Sequence, residues 1–324
     1  YSIVRAYHEL LASDPEITMP VAAIESLIEL LRATPASTAM ETVEVVKKEK
    51  ARLLDSAPNP LPLLAGADLF EQYLLRSLRG QTAAAADPVL GFDETRQHLL
   101  HNKLLFAQRA KAARDNIATW GSRYVLDGRV VMAAGGSRAV TKILLRAAAD
   151  TTKHFKVIYV MDGSPRCESS VAALRAAGLD VEIVGPHKVA YMLKDNSQIN
   201  LVLVGTEVVL QNGGIISRMG TYQLASLTKL VKGSLKRFYV AAETHKIVRK
   251  TALAHPQVLR VGVKQKDISK FANLGRDIDG EAARDMVPDQ EEVDYTDPEF
   301  IDGIITEQGV KMTTQIWEMV DDYI

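Results

Sequence analysis

The chain has 324 residues, 47% of them apolar and 24% charged, with a formal net charge of -1. These are ordinary values for a soluble globular protein, and the length suits two domains better than one core. A near-neutral balance leaves no electrostatic footprint for nucleic acid, and no run reaches the roughly 18 apolar residues that span a bilayer. Cys167 is the single cysteine, which excludes an intrachain disulfide and a CxxC metal site and fits a reducing compartment. The opening YSIVRAYHELL has no basic head, long apolar run or cleavage site, and no initiator Met. The expectation is a trimmed N-terminus without a secretion signal, in a cytoplasmic protein that meets neither membrane nor nucleic acid directly.

The first third reads as helix. In MPVAAIESLIELLRA (19–33), Val21, Ile24, Ile28 and Leu31 share a face, and Thr18 and Pro20 supply a start signal. A second helix is expected over 39–57, ended by PNPLP, and a third over 66–80. A long fourth is expected over 93–121, with Leu100, Leu104 or Leu105, and Ala107 towards the core. Lys47, Lys48, Lys50 and Arg52 interleave with Glu49, which predicts one solvated helix face.

From Asp127 and Gly128 onwards the pattern changes to apolar runs alternating with helical stretches. The runs are RVVMAA (129–134), FKVIYVMD (155–162), VEIVG (181–185), NLVLVG (200–205), RFYVAAE (237–243) and FIDGIITEQG (300–309). Continuous apolar strands separated by helices predict a mainly parallel sheet covered on both faces. The fold class is therefore α/β: a helical N-terminal domain over 1–126 and a Rossmann-like domain over 127–324. A charged stretch at 263–298 reads as an exposed excursion. In such sheets ligands sit at the carboxyl ends of the strands.

Polar residues at three strand ends are candidates to converge there. In AAGGSRAV, Gly135 and Gly136 let the backbone approach a ligand, and Ser137 with the N–H groups of the next helix suits an anion. Arg138 adds a two-pronged phosphate donor. The same four residues also fit a glycine turn with a serine N-cap and a surface arginine. In DGSPRC, Cys167 falls near a helix start, but without a partner at a readable spacing it is taken as a spectator thiol. In the third, Glu207 lies just past a buried strand, where a carboxylate acts as acid or base. Asn212, Gly213 and Gly214 look like an exposed backbone nest. Arg218 then precedes a helix start with Thr221 as N-cap. The alternative is a satisfied carboxylate and a tight turn. Dinucleotide, Walker, HExxH and GxSxG patterns do not occur. His98 and His101 lack a third metal ligand, and Trp120 and Trp317 read as packing anchors.

LVLVGTEVVLQNGGIISRMGTYQLA (201–225), FYVAAETHKIV (238–248) and VDYTDPEFIDGIITEQGV (293–310) resemble the sugar-phosphate isomerases and their regulatory relatives in translation initiation. The amino-terminal DPEITMPVAAIESLIELL resembles the regulatory branch, and the resemblance covers nearly the whole chain outside 263–292. It implies a helical domain followed by a Rossmann-like domain. The isomerases move a proton between neighbouring sugar carbons with a cysteine and an aspartate. Here Gly135 falls on the cysteine position and Glu207 on the aspartate position. Losing one member of a pair that acts as a unit removes most of the rate. The resemblance thus implies no catalytic residue, no metal and no required cofactor.

The phosphate-binding positions are better kept. SRMGT stands where the family has NKIGT, so Arg218 takes the lysine position while Ser217 replaces an asparagine. Ser164 replaces the arginine of the family's arginine-proline turn, and Pro165 remains. The expected pocket for a sugar phosphate or nucleotide monophosphate comprises Gly135, Gly136, Ser137, Arg138, Glu207, Asn212, Gly213, Gly214 and Arg218. The regulatory relatives belong to the guanine-nucleotide exchange factor for initiation factor 2. The partners implied are a second copy of the chain as a homodimer, the factor's beta, gamma, delta and epsilon subunits, and the phosphorylated alpha subunit of initiation factor 2. The sensing face is placed on the first two helices, around residues 1–55.

Overall fold

The computed structural model describes residues 2–14, 16–34, 38–57, 59–82, 103–195, 198–231, 236–251, 262–264 and 292–322. His98, His101, Leu100 and the stretch 265–291 lie outside the described residues. So do the side chains of Leu104, Leu105 and Ala107.

Helices α1 (Ile3–Ser13), α2 (Met19–Ala33), α3 (Ala39–Asp55), α4 (Leu61–Thr82) and α5 (Lys103–Gly121) precede the first strand. Helix α2 is buried more evenly than its amphipathic pattern implies: Ala22, Ala23, Ile24, Leu27 and Ile28 are all inaccessible. The reason is that α1, α3, α4 and α5 all pack against it. Pro20 sits in its first turn, where a missing N–H breaks no helical bond. Thr38 caps α3, its Oγ1 accepting from the Glu41 N–H at 3.2 Å. PNPLP not only ends α3 but starts α4, because Asn59 Oδ1 accepts from the Leu61 N–H at 3.2 Å. The basic face expected on α3 is not wholly solvated. Lys50 turns inward, 15% exposed, and donates to Asp68 and Glu71 of α4 at 2.5 and 2.6 Å.

The rest of the chain carries strands β1 (Val130–Ala134), β2 (Lys156–Val160), β3 (Asp180–Val184), β4 (Ile199–Gly205), β5 (Val208–Leu210), β6 (Ile215–Arg218), β7 (Arg237–Ala241), β8 (Ile247–Val248), β9 (Val293–Thr296), β10 (Gly303–Thr306) and β11 (Gly309–Lys311). Helices α6 (Arg138–Ala148), α7 (Pro165–Ala176), α8 (Val189–Asp195), α9 (Thr221–Leu230) and α10 (Ile316–Asp322) intervene or follow. A seven-stranded sheet runs β11-β10-β7-β4-β1-β2-β3. All its pairings are parallel except β10 with β11. Apolar side chains fill both faces. Val131, Ala133, Leu201 and Leu203 join a core with α5, α6 and α7. Val130, Met132, Val202 and Val204 join another with α8 and α9. Trp120 packs partly buried against the first of these cores, with Arg123 4.4 Å over its ring. Trp317 is 53% exposed, so it is not the packing anchor expected.

A second sheet, β8-β5-β6-β9, was not legible as such. The apolar run 199–210 divides between the two sheets at Thr206 and Glu207. The Thr206 hydroxyl lies 2.7 Å from the Val208 carbonyl and 2.9 Å from that of Ile216. The Glu207 N–H donates to the Ile216 carbonyl at 3.0 Å, so the chain bends out of β4 into the β5–β6 hairpin. The small sheet packs on the start of α4 through Leu61, Ala65, Val208, Leu210 and Ile216. Its edge strand β9 corrects the reading of 263–298 as wholly exposed. All four residues of β9 are buried against β6, and Val263 is 5% exposed.

Candidate functional site

The order of the large sheet reverses between β1 and β4, the place where doubly wound sheets open a crevice. The loops after β1 and β4 line a cleft of about 740 Å³ there, roofed by residues of α1 and of the turn before α2. Gly135, Gly136, Ser137, Arg138, Glu207 and Arg218 all line it. Among the described residues, no group of three or more His, Cys, Asp or Glu stands where it could hold a metal. None of the described helices is long and apolar enough to cross a membrane.

Gly135 and Gly136 have φ of 81° and 62°, a region side chains rarely adopt. A Cβ on Gly136 would fall 2.6 Å from Arg166 Cβ, so glycine there brings the loop against the start of α7. Its N–H, however, donates to the Tyr159 hydroxyl at 3.1 Å. Ser137 is the N-cap of α6, its Oγ accepting from the Val140 N–H at 3.4 Å. A side chain at Gly205 would collide with Ser137, so β4 and the α6 start are held close. The loop is thus a glycine turn with a serine cap, and it lines the cleft.

Arg138 is not a surface arginine. It is partly buried, and both terminal nitrogens donate to the Ile17 carbonyl, at 3.1 and 3.2 Å. Burial, and then the nearby Arg114, push its pKa below the usual arginine value.

Asn212, Gly213 and Gly214 do not reach the cleft. They form the turn of the β5–β6 hairpin. Asn212 Oδ1 accepts from the Gly214 N–H and its Nδ2 donates to the Tyr295 hydroxyl, both at 3.1 Å. A Cβ on Gly213 would strike the Thr313 backbone, and one on Gly214 the Tyr295 ring. The glycines serve close packing, not a phosphate nest. Of the two sequence readings of this stretch, the structure has the tight turn.

Arg218 does reach the cleft, 17% exposed, with Nη1 3.4 Å from Asp162 Oδ2. Burial works against the Asp162 carboxylate, but hydrogen bonds from Ser164 and the charge of Arg218 hold its pKa below the ordinary value. Thr221 is not the N-cap of α9. Gly220 is, at φ 97°, and Thr221 Oγ1 donates to the Arg218 carbonyl at 2.7 Å. The helix start is instead held by Asp294 of β9, whose Oδ2 accepts from the N–H groups of Gly220 and Tyr222 at 2.7 and 3.0 Å. Burial pushes the Asp294 carboxyl up to about 7, although those N–H groups oppose the shift.

Glu207 faces Arg166 at 3.8 Å. Cys167 is fully buried, and burial pushes its thiol up, which is the opposite of what a nucleophile needs. Sequence reasoning passed over the end of β7, where THKIV follows the strand. Lys246 donates to the Thr206 carbonyl at 3.0 Å and pairs with Glu243 at 2.9 Å. Burial raises the Glu243 carboxyl, but Lys246 outweighs it, and the group lies at about 2. His245 Nε2 lies 3.2 Å from Thr18 Oγ1, joining the start of α2 to the sheet. A charged cluster directly after an apolar run was the signal available.

The cleft thus gathers Arg138, Arg166, Arg218 and Lys246 with the carboxylates of Asp14, Glu16, Glu207 and Glu243, while Gly135 adds no side chain to its wall. The chain is similar to known proteins over most of its length. The chain is 26% identical over 313 residues to "Translation initiation factor eIF2B subunit alpha" of Dictyostelium discoideum, covering 95% of this chain and 92% of that protein. It is 26% identical over 220 residues to "Ribose 1,5-bisphosphate isomerase" of Methanocaldococcus jannaschii, covering 67% of this chain and 66% of that one. The solved structure of eIF2B beta from Chaetomium thermophilum superposes with a TM-score of 0.75, over 100% of this chain and 93% of that one. At 17% identity this last likeness shows the fold alone. The profile of the initiation factor 2 subunit family matches residues 12–313, and the chain belongs to that family.

Proposed function

We propose that the chain is a regulatory, non-catalytic subunit of the guanine-nucleotide exchange factor for translation initiation factor 2. In this reading it acts in the manner of an alpha subunit. A homodimer joins two sets of the beta, gamma, delta and epsilon subunits, and the N-terminal helical domain (1–126) contributes to sensing initiation factor 2 phosphorylated on its own alpha subunit. Such work needs a self-complementary face and a second face that favours one state of the assembly, and no proton relay. The similarity to a relative named as such a subunit, over 95% of this chain, supports the assembly role. The observation that carries the non-catalytic reading is Gly135, which lines the cleft together with Glu207 yet has no group to move a proton.

The cleft itself is proposed to hold a sugar phosphate or nucleotide monophosphate through Ser137, Arg138 and Arg218, with Gly135 and Gly136 allowing close approach. Thermal melting with a panel of such compounds tests it, since a ligand that binds only the folded state raises Tm. An unchanged Tm across the panel removes the pocket reading.

The second reading is an active isomerase, favoured by the similarity to a ribose 1,5-bisphosphate isomerase over 67% of the chain. Incubation with ribose 1,5-bisphosphate and with methylthioribose 1-phosphate separates the two. The regulatory reading predicts no product above the protein-free blank, and turnover of either compound contradicts it.

A further inference from the structure

Three guanidinium groups gather where the helical part meets the first loop of the sheet. Arg138 donates its fork to the Ile17 carbonyl at 3.1 and 3.2 Å. Arg114, which does not line the cleft, holds the preceding residue, Glu16, through its backbone carbonyl at 2.6 Å and its carboxylate at 2.8 Å. Arg166 lines the same cleft as Arg138 and repels it. The following residue, Thr18, is tied to His245 at 3.2 Å, and its carbonyl takes the Ala22 N–H that opens α2. The turn of residues 16–18 is thus pinned on both sides, with Arg138 holding its middle from within the cleft.

That middle contact lies on the cleft and ends on a neutral acceptor. A guanidinium–carbonyl bond is charged on one side only, whereas a phosphate adds the opposite charge and accepts both prongs of the fork. Arg138 is partly buried between the guanidinium groups of Arg114 and Arg166 and the carboxylates of Glu243 and Glu16, and Arg166 and Arg218 line the same cleft, so a phosphate there meets three guanidinium groups. Ile17 lines the cleft but is only 9% exposed, so departure of the guanidinium takes the partner from a largely buried carbonyl.

We propose that Arg138 couples occupancy of the cleft to the 16–18 turn: a phosphate group bound beside residues 135–137 draws Arg138 off the Ile17 carbonyl and loosens the joint between α1 and α2. The proposal rests on the phosphate-binding reading of the cleft. It gives that site a route to the helical part through the 16–18 turn. The route is a discrete exchange of one hydrogen-bond partner for another.

Hydrogen–deuterium exchange of the whole chain, read at Ile17, Thr18 and Met19 with ribose 5-phosphate or adenosine monophosphate, tests it. Calorimetry on the same samples records binding, and uncharged ribose serves as control. The expected result is exchange roughly 3- to 10-fold faster at these amides with either phosphate, the scale of one net hydrogen bond, and no change with ribose. Arg138→Lys keeps a charge for the phosphate but cannot fork onto the carbonyl. In that variant the turn should exchange fast without ligand, and the phosphates should add nothing. Binding with unchanged or slower exchange overturns the coupling and leaves the pocket reading standing. No binding of either phosphate overturns both.

Discussion

The Arg114 guanidinium, only 2% exposed, grips Glu16 twice, at its backbone carbonyl and at its carboxylate. The carboxylate is 52% exposed and the carbonyl fixes the chain between α1 and α2, so the ion pair and the hydrogen bond differ in worth. Removing the carboxylate charge should cost under about 1 kcal/mol, as for other half-exposed ion pairs. Replacing the buried fork should cost more. Arg114→Lys is expected to lose about 2 kcal/mol or more, because an ammonium cannot serve both acceptors from that buried position. Urea unfolding of Arg114→Lys and Glu16→Gln checks this order, and equal losses would contradict it.

His245 lies beside Thr18 at the same joint, and burial pushes its pKa down to about 4 from 6.5. A base held neutral by the fold contributes stability that is complete above its unfolded pKa and is lost as pH falls. The window therefore runs from pH 6.5 down to about 4. Glu243, held at about 2 against 4.5 unfolded, loses its contribution only below 4.5. Between pH 6.5 and 4.5 the Tm of the wild type should fall more steeply than that of His245→Gln. Parallel curves would show that the imidazole stays accessible to protons in the fold.

Asp294 behaves in the opposite sense. Its folded pKa, about 7, lies above the unfolded 3.8, so its contribution is complete below 3.8 and is lost as pH rises through 7. Asp294→Asn keeps an acceptor for the Gly220 and Tyr222 N–H groups and removes the buried charge. The difference in Tm between variant and wild type should move in the variant's favour as pH rises through that range. A difference independent of pH would mean the helix start already pays for the carboxylate's charge.

Much of this arrangement was legible in the sequence because apolar continuity reports burial. Six of the sheet's seven strands follow from runs such as 129–134 and 200–205, where neighbouring residues feed opposite cores and all must be apolar, while the antiparallel edge strand β11 has no such run. The Ser137 cap and the turn at Gly135 and Gly136 follow from local chemistry alone. What sequence could not show was decided by contacts far along the chain. The bend at Thr206 depends on Ile216, the cap of α9 depends on Asp294, and Lys50 is drawn in by Asp68 and Glu71. Asn212, Gly213 and Gly214 carry a phosphate-loop composition, yet Tyr295 and Thr313 claim the space beside them.

That division predicts a contrast in binding. Arg218→Ala should weaken ribose 5-phosphate by about 10-fold or more, the value of a charge-assisted bond, with little change in fold. Asn212→Ala should leave the affinity unchanged and cost about 1–2 kcal/mol of stability, since it removes a turn bond and the partner of Tyr295. Calorimetry and urea unfolding on the two variants read both quantities, and a loss of affinity in Asn212→Ala would return the hairpin to the site.

The central claim is that this chain assembles and regulates without catalysing, and sedimentation velocity tests it most directly. The beta, gamma, delta and epsilon subunits of the exchange factor would be run with and without the chain. The account predicts that a four-subunit particle shifts to a ten-subunit one when the chain is added. A tetramer that stays unmoved while the chain sediments separately would contradict it.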